Sequence, residues 1–207
     1  MKTITTTAEL EAYCTEAAKH DYVTVDTEFL RDSKLCLIQL AMPGTDDSNA
    51  VLVDPLSEGL SLDPLYTLFR DTSVVKVFHA ARQDLEIFYV DAGVFPEPLF
   101  DTQVAAMVCG FGEQVGYETL VRKIYEFLAR KLEQTGRARW VQEELEILTS
   151  PDTYVTPPRE AWRRVKTRTN SPKFLALVRE LAAFREEYAQ TRNIPRSRVY
   201  KDDAMVE

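Results

Sequence analysis

Apolar residues recur along this chain at two different periods, and each change of period marks an element. After Thr6, residues Leu10, Tyr13, Cys14 and Ala17 repeat at helical intervals. Thr6 and Glu9 have capping-box spacing, so a helix is expected over residues 7–20. Tyr22–Phe29 is rich in β-branched and aromatic residues and reads as a strand, as do Leu35–Ala41 and Ala50–Val53, with a hairpin connection from Gly44 to Asn49. Asp63-Pro64 has the form of a helix start, Asp as N-cap and Pro at the first helical position. Val74–Phe78 predicts a fourth strand that runs directly into an Ala-rich helix from about residue 80. Helical periodicity then dominates, running from Tyr117 to Leu148 with Gly136 as the one interruption. An antiparallel meander followed by alternating helices and strands predicts an α/β domain with a mixed sheet and flanking helices.

The adjacent prolines in Tyr154–Pro158 interrupt the helical pattern, placing a boundary near residue 152. Residues 1–151 form the expected main domain. Residues 152–207 form a small all-α region with amphipathic helices over Arg159–Lys166 and Pro172–Thr191.

Charge changes this picture more than length does. The 207 residues carry a net −8. Residues 151–207 hold 12 Lys/Arg against 8 Asp/Glu, while residues 1–150 hold 13 against 25. An acidic body with a basic tail suits an enzyme that gathers divalent metal in one place and holds polyanion in another, beside the plainer reading of solvated surface charge. No apolar run reaches membrane-spanning length, and the N-terminus lacks the apolar core of a secretory signal. Cys14, Cys36 and Cys109 are odd in number and widely spaced, and read as buried thiols of a reduced cytoplasm.

Asp26-Thr-Glu28 is the strongest chemical signal. Alternation along a strand projects Asp26 and Glu28 from one face, where two carboxylates repel each other unless an oxygen-preferring cation compensates. Metal binding and plain solvent exposure at a strand terminus both stay open. Asp84, in the first turn of the helix after Phe78, is placed to reach the same sheet end. Helix-dipole stabilisation explains it if it stands alone, but three acids at one sheet end make a two-metal site plausible. No GxxxxGK[ST] loop and no GxSxG elbow is present, and His20 and His79 are the only histidines, which leaves a hydrolase triad poorly supported. His79 reads as a hydrogen-bonded core residue, with phosphate contact as the alternative.

Val25–Arg31, Leu35–Leu40, His79–Leu85 and Phe100–Gln103 strongly resemble the ribonuclease D family of the DEDD exonuclease superfamily. Val155–Arg164 and Pro172–Asp203 resemble the start of that family's helicase-and-RNase-D C-terminal (HRDC) domain. The resemblance implies a ribonuclease H-like fold and a 3′→5′ exoribonuclease that releases mononucleotides from the free 3′ end of RNA, such as tRNA precursors and other structured RNAs. It implies two Mg²⁺ or Mn²⁺ ions, with Asp26 bridging, Glu28 on the nucleophile-side ion and Asp84 on the other. Asp101 matches a family Asp-Thr pair and is implied to be a supporting residue, with His79. No membrane and no protein partner is implied.

The family's third motif, Tyr-x-x-x-Asp, has no counterpart here. Tyr117 is followed four residues on by Val121, and Tyr125 by Ala129. Members of the family carry a few dozen additional residues near 124–126, and a shorter additional stretch at Arg31–Lys34. Either a segment is not represented in this sequence, or a metal ligand and its water-positioning tyrosine have been lost. The second case implies a catalytically inactive RNA-binding relic. Exonuclease action on DNA is a further alternative. In the tail, Arg159, Arg163, Arg164, Lys166 and Arg168 fall close together and are expected to track phosphates, while Trp162 is expected in the small domain's core.

Overall fold

The computed structural model describes residues 1–29, 34–44, 48–110, 124–167, 169, 171–192 and 194–206. The expected mixed sheet is present. Six strands, β1 (Lys2–Ile4), β2 (Tyr22–Phe29), β3 (Leu35–Ala41), β4 (Ala50–Val53), β5 (Val75–Phe78) and β6 (Leu99–Asp101), lie in the order β1-β4-β3-β2-β5-β6. The β2–β3 and β3–β4 pairs are antiparallel, whereas β1–β4, β2–β5 and β5–β6 are parallel. The short outer strands β1 and β6 were not legible in the sequence, because three residues carry no measurable period.

Helix α1 (Thr7–Ala17) is capped by Thr6, whose hydroxyl accepts from the Glu9 amide. It ends three residues short of the expected residue 20. Helix α2 (Asp63–Arg70) starts differently from its expectation. Leu62 is the N-cap, and Asp63 lies inside the first turn with its carboxylate bonded by the Ser61 hydroxyl at 2.9 Å. Helix α3 (Arg82–Ala92) follows β5 after a short turn, and α4 (Thr102–Val108) follows β6. The long helical stretch is broken at Gly136, which takes a left-handed φ of 67° between α5 (Ile124–Thr135) and α6 (Ala138–Leu148). Residues 117–123 lie outside the described residues.

β2 is a central strand, and it carries the architecture. Val23, Val25 and Thr27 are buried on one face, while Tyr22, Thr24 and Asp26 are half-buried on the other and Glu28 is exposed. Phe69, Phe78 and Phe88, from α2, β5 and α3, pack edge-on into an aromatic cluster with Tyr66. Replacing a ring such as Phe88 by alanine costs about 3–5 kcal/mol in a packed core.

The chain divides into two units, Met1–Ser150 and Pro151–Glu207. The second contains α7 (Pro151–Tyr154), a 3₁₀ helix Pro158–Arg164, α8 (Pro172–Arg192), α9 (Arg196–Val199) and α10 (Asp202–Val206). Ala161, Val165, Val178, Ala182 and Met205 form its core, with Trp162 and Phe174 packed against it. Arg185 is buried there and donates to the Tyr200 carbonyl and to Asp202. Among the described residues no helix is long and apolar enough to cross a membrane.

Candidate active site

Alternation puts Asp26 and Glu28 on one face of β2 and Thr27, between them, on the buried face. Asp26 stands opposite Gln39 of β3, whose side-chain amide donates to its Oδ2 at 3.4 Å. The register with β3 shifts between Glu28 and Phe29, where the pairing passes from Leu37 to Leu35.

Asp84 is buried in the first turn of α3 and is bonded by the Thr27 hydroxyl. Burial pushes its carboxyl up to about 6, the Thr27 hydrogen bond opposes that rise, and the negative charges of Asp26 and Asp101 reinforce it. The expected meeting of Asp84 with the end of β2 therefore occurs, through Thr27. Among the described residues no three or more His, Cys, Asp or Glu side chains are gathered closely enough to hold an ion. The three expected ligands thus share one strand end without forming a closed cage.

Asp101 is 2% exposed and organises the loop that delivers Asp84. Its carboxylate accepts from the amides of Ala80 at 3.1 Å and Ala81 at 2.8 Å, and it caps α4 by accepting from Gln103 and Val104. Ala80 has a left-handed φ of 58°, a conformation that alanine adopts at a cost of about 1 kcal/mol. The bonds to Asp101 hold it there.

Thr102 donates to the Phe78 carbonyl at 3.0 Å, so its hydroxyl is an acceptor toward His79 Nδ1, 2.9 Å away. This assigns the proton to Nδ1 and leaves Nε2 as the acceptor nitrogen of the neutral ring. His79 is half-buried.

Tyr125 sits at the other end of β2 from Glu28. Its ring packs against Tyr22, at the start of β2, and against Phe100. Tyr22 and Glu28 are about 20 Å apart along an extended strand.

The tail differs in detail from its sequence reading. Residues 158–164 form a 3₁₀ helix rather than an α-helix, so residues three apart align. Arg163 accordingly pairs with Glu160 at 2.7 Å. Arg159, Arg163, Arg164 and Lys166 are all exposed, and Arg168 lies outside the described residues. Of the cysteines, Cys14 is buried as expected, but Cys36 and Cys109 are only half-buried.

Thr27 and Gln39 are the two site residues that the sequence did not single out. Gln39 was visible as the lone polar side chain of an apolar strand, and Thr27 as the buried position between two acids.

A sequence model of the 3′–5′ exonuclease family matches residues 1–156. The chain belongs to that family. It is 55% identical to ribonuclease D of Jannaschia sp. (strain CCS1), over 99% of this chain and 64% of that protein. It is 45% identical to ribonuclease D of Nitrobacter hamburgensis, over 99% of this chain and 63% of the relative. Its fold is similar to the crystal structure of Escherichia coli RNase D, an exoribonuclease involved in structured RNA processing. That match has a TM-score of 0.81 at 25% identity and covers 99% of this chain and 64% of the other. The chain therefore spans less than two thirds of the length of these relatives. The match to the Jannaschia protein runs over 246 positions, more than the 207 residues present here, so that protein has residues inside the matched stretch without a counterpart in this chain.

Proposed function

We propose that the chain is a divalent-metal-dependent 3′→5′ exoribonuclease that releases mononucleotides from the free 3′ end of RNA, with Asp26, Glu28 and Asp84 as its metal-binding and catalytic residues. The observation that carries this reading is the Thr27–Asp84 hydrogen bond, which brings a buried carboxylate to the strand that bears Asp26 and Glu28. Carboxylates that repel one another beside a partly exposed strand end form an all-oxygen donor set, and this suits Mg²⁺ or Mn²⁺. A bound divalent ion would neutralise the scissile phosphate and acidify a water there.

The chain's own groups set up the rest. Thr27 holds Asp84 at the strand end, Gln39 orients Asp26, and Asp101 fixes the turn between β5 and α3. His79 is held beside that turn by the Thr102 hydroxyl, 2.9 Å from its Nδ1. The exposed Arg159, Arg164 and Lys166 of the second unit, together with Arg163 and Arg168, are assigned to phosphate contacts. That unit is read as the start of an HRDC domain, the RNA substrates as tRNA precursors or other structured RNAs, and the compartment as the cytoplasm.

The test is release of mononucleotides from 3′-hydroxyl RNA, dependent on Mg²⁺ or Mn²⁺ and abolished by Asp26→Asn. Matched RNA and DNA oligonucleotides separate ribonuclease from deoxyribonuclease action.

One observation favours a second reading. The one Tyr-x-x-x-Asp spacing in the sequence, Tyr22 to Asp26, falls in β2 and not late in the chain, and the Jannaschia relative holds residues that this chain does not. An RNA-binding relic of the family would bind RNA without turnover, indifferent to metal and to Asp26→Asn. An intact mass of 23.7 kDa combined with that behaviour would establish it.

A further inference from the structure

Two aromatic rings on the surface of the first unit are built differently from its other exposed apolar side chains. Phe127 of α5 is 51% exposed and Trp140 of α6 is 56% exposed. Each carries a cation on its ring. Lys131 Nζ lies 5.8 Å from the Phe127 centroid, and the Arg137 guanidinium lies 5.4 Å from that of Trp140.

The two pairs flank one spot. Arg137 Nη1 donates to the Val108 carbonyl at 3.0 Å, at the C-terminal end of α4. Lys131 and Arg137 both act on the Cys109 thiol, drawing its pKa down against the burial that raises it. Lys131 and Arg137 thus converge on one helix end, each with its ring beside it.

The local charge is inverted relative to the unit. Residues 130–140 hold four cations, Arg130, Lys131, Arg137 and Arg139, against the single acid Glu133, inside a unit with an excess of acids. Cations at a helix C-terminus also complement its dipole, which accounts for Lys131 and Arg137. It does not account for two large rings left half in water beside them. α4 connects this spot to the acids, since it begins at its Asp101 cap and ends at Val108, about 10 Å away along the helix axis.

We propose that Phe127 and Trp140, with Lys131 and Arg137, form a stacking platform for the bases of a single-stranded RNA upstream of its 3′ end. The inference rests on the exoribonuclease reading and adds a binding surface to it. Every base has a π-face, so stacking of this kind tolerates sequence, and the adjacent cations meet the phosphates.

The experiment is fluorescence anisotropy of a labelled RNA of about twelve nucleotides, a length within single-strand site sizes, without divalent metal so that no cleavage occurs. Phe127→Leu and Trp140→Leu keep an apolar side chain and remove the ring. Each is expected to weaken binding about tenfold, from the usual strength of base–aromatic stacking. Phe127→Tyr and Trp140→Phe should retain affinity, and Val90→Ser, at another exposed apolar site, should change nothing. In a Trp162→Phe background Trp140 is the remaining tryptophan, and its fluorescence should be quenched by RNA.

Leucine variants with unaltered melting temperatures and wild-type affinity overturn the platform. So does a loss that is equally large on an abasic strand of the same length, since that would assign the surface to phosphates alone. A wild-type protein that binds no single strand at all overturns the exoribonuclease reading itself, and the platform with it.

Discussion

The Thr27 hydroxyl donates to the carboxylate of Asp84 across 57 positions of sequence, joining the buried face of β2 to the first turn of α3. This bond places the second acidic motif at the same strand end as the first. Asp26 and Glu28 project from the other face of β2, on either side of Thr27 in sequence.

Asp84→Asn should stabilise the protein at pH 8 and do little at pH 4. The folded carboxyl titrates at about 6, above the usual value of 3.8, so the folded state binds its proton more tightly than the unfolded chain does. Stability from this group therefore falls as pH rises from about 4 to 6, and above that the ionised form costs on the order of 2–3 kcal/mol. Thermal melts of both proteins at the two pH values check this. Equal shifts at pH 4 and pH 8 would refute the assignment.

Added Mg²⁺ should raise the melting temperature of the wild-type protein at pH 8 more than that of Asp26→Asn, because binding to the folded state alone stabilises it. Calorimetric titration of both proteins gives the affinities directly. Identical responses would remove Asp26 from the metal site.

Asp101→Ala should destabilise the first unit by about 2–4 kcal/mol, since it strips a buried acceptor from four backbone amides of the β5–α3 turn and the start of α4. Urea denaturation measures this, and Asp101→Asn should recover part of the loss.

Lys76 is fully buried in β5, and its ammonium donates to the carbonyls of Asp71, Val74 and Glu97. Burial lowers its pKa to about 8. The unfolded chain holds this proton up to about pH 10, so stability from Lys76 rises between pH 8 and 10. Lys76→Met should abolish that rise and destabilise by about 3 kcal/mol at pH 7, through three carbonyls left without a donor. Denaturation midpoints from pH 7 to 10 decide it.

Arg159→Ala combined with Arg164→Ala should weaken RNA binding and flatten its dependence on salt, because each lost phosphate contact removes roughly one released counterion from the slope. Arg163→Ala should do less, since Glu160 already engages that side chain. A salt series of binding isotherms separates the two outcomes.

The sequence by itself determined the elements long enough to show a period, the mixed sheet class, the helix cap at Thr6 and the pairing of Asp26 with Glu28 on one face. Each of these depends on neighbours within a few residues, where alternation and helical spacing act directly. It did not reveal β1 or β6, which exist only because β4 and β5 offer partners. It misjudged the cap of α2 and the 3₁₀ form of residues 158–164, because capping and helix type are decided by small local energies that packing overrides. Only the tertiary structure brought Thr27 to Asp84, Gln39 to Asp26, and Asp101 to the amides of Ala80 and Ala81. Those contacts join residues that are distant in sequence and fix which acids meet, because a buried polar atom settles where the folded chain supplies a partner.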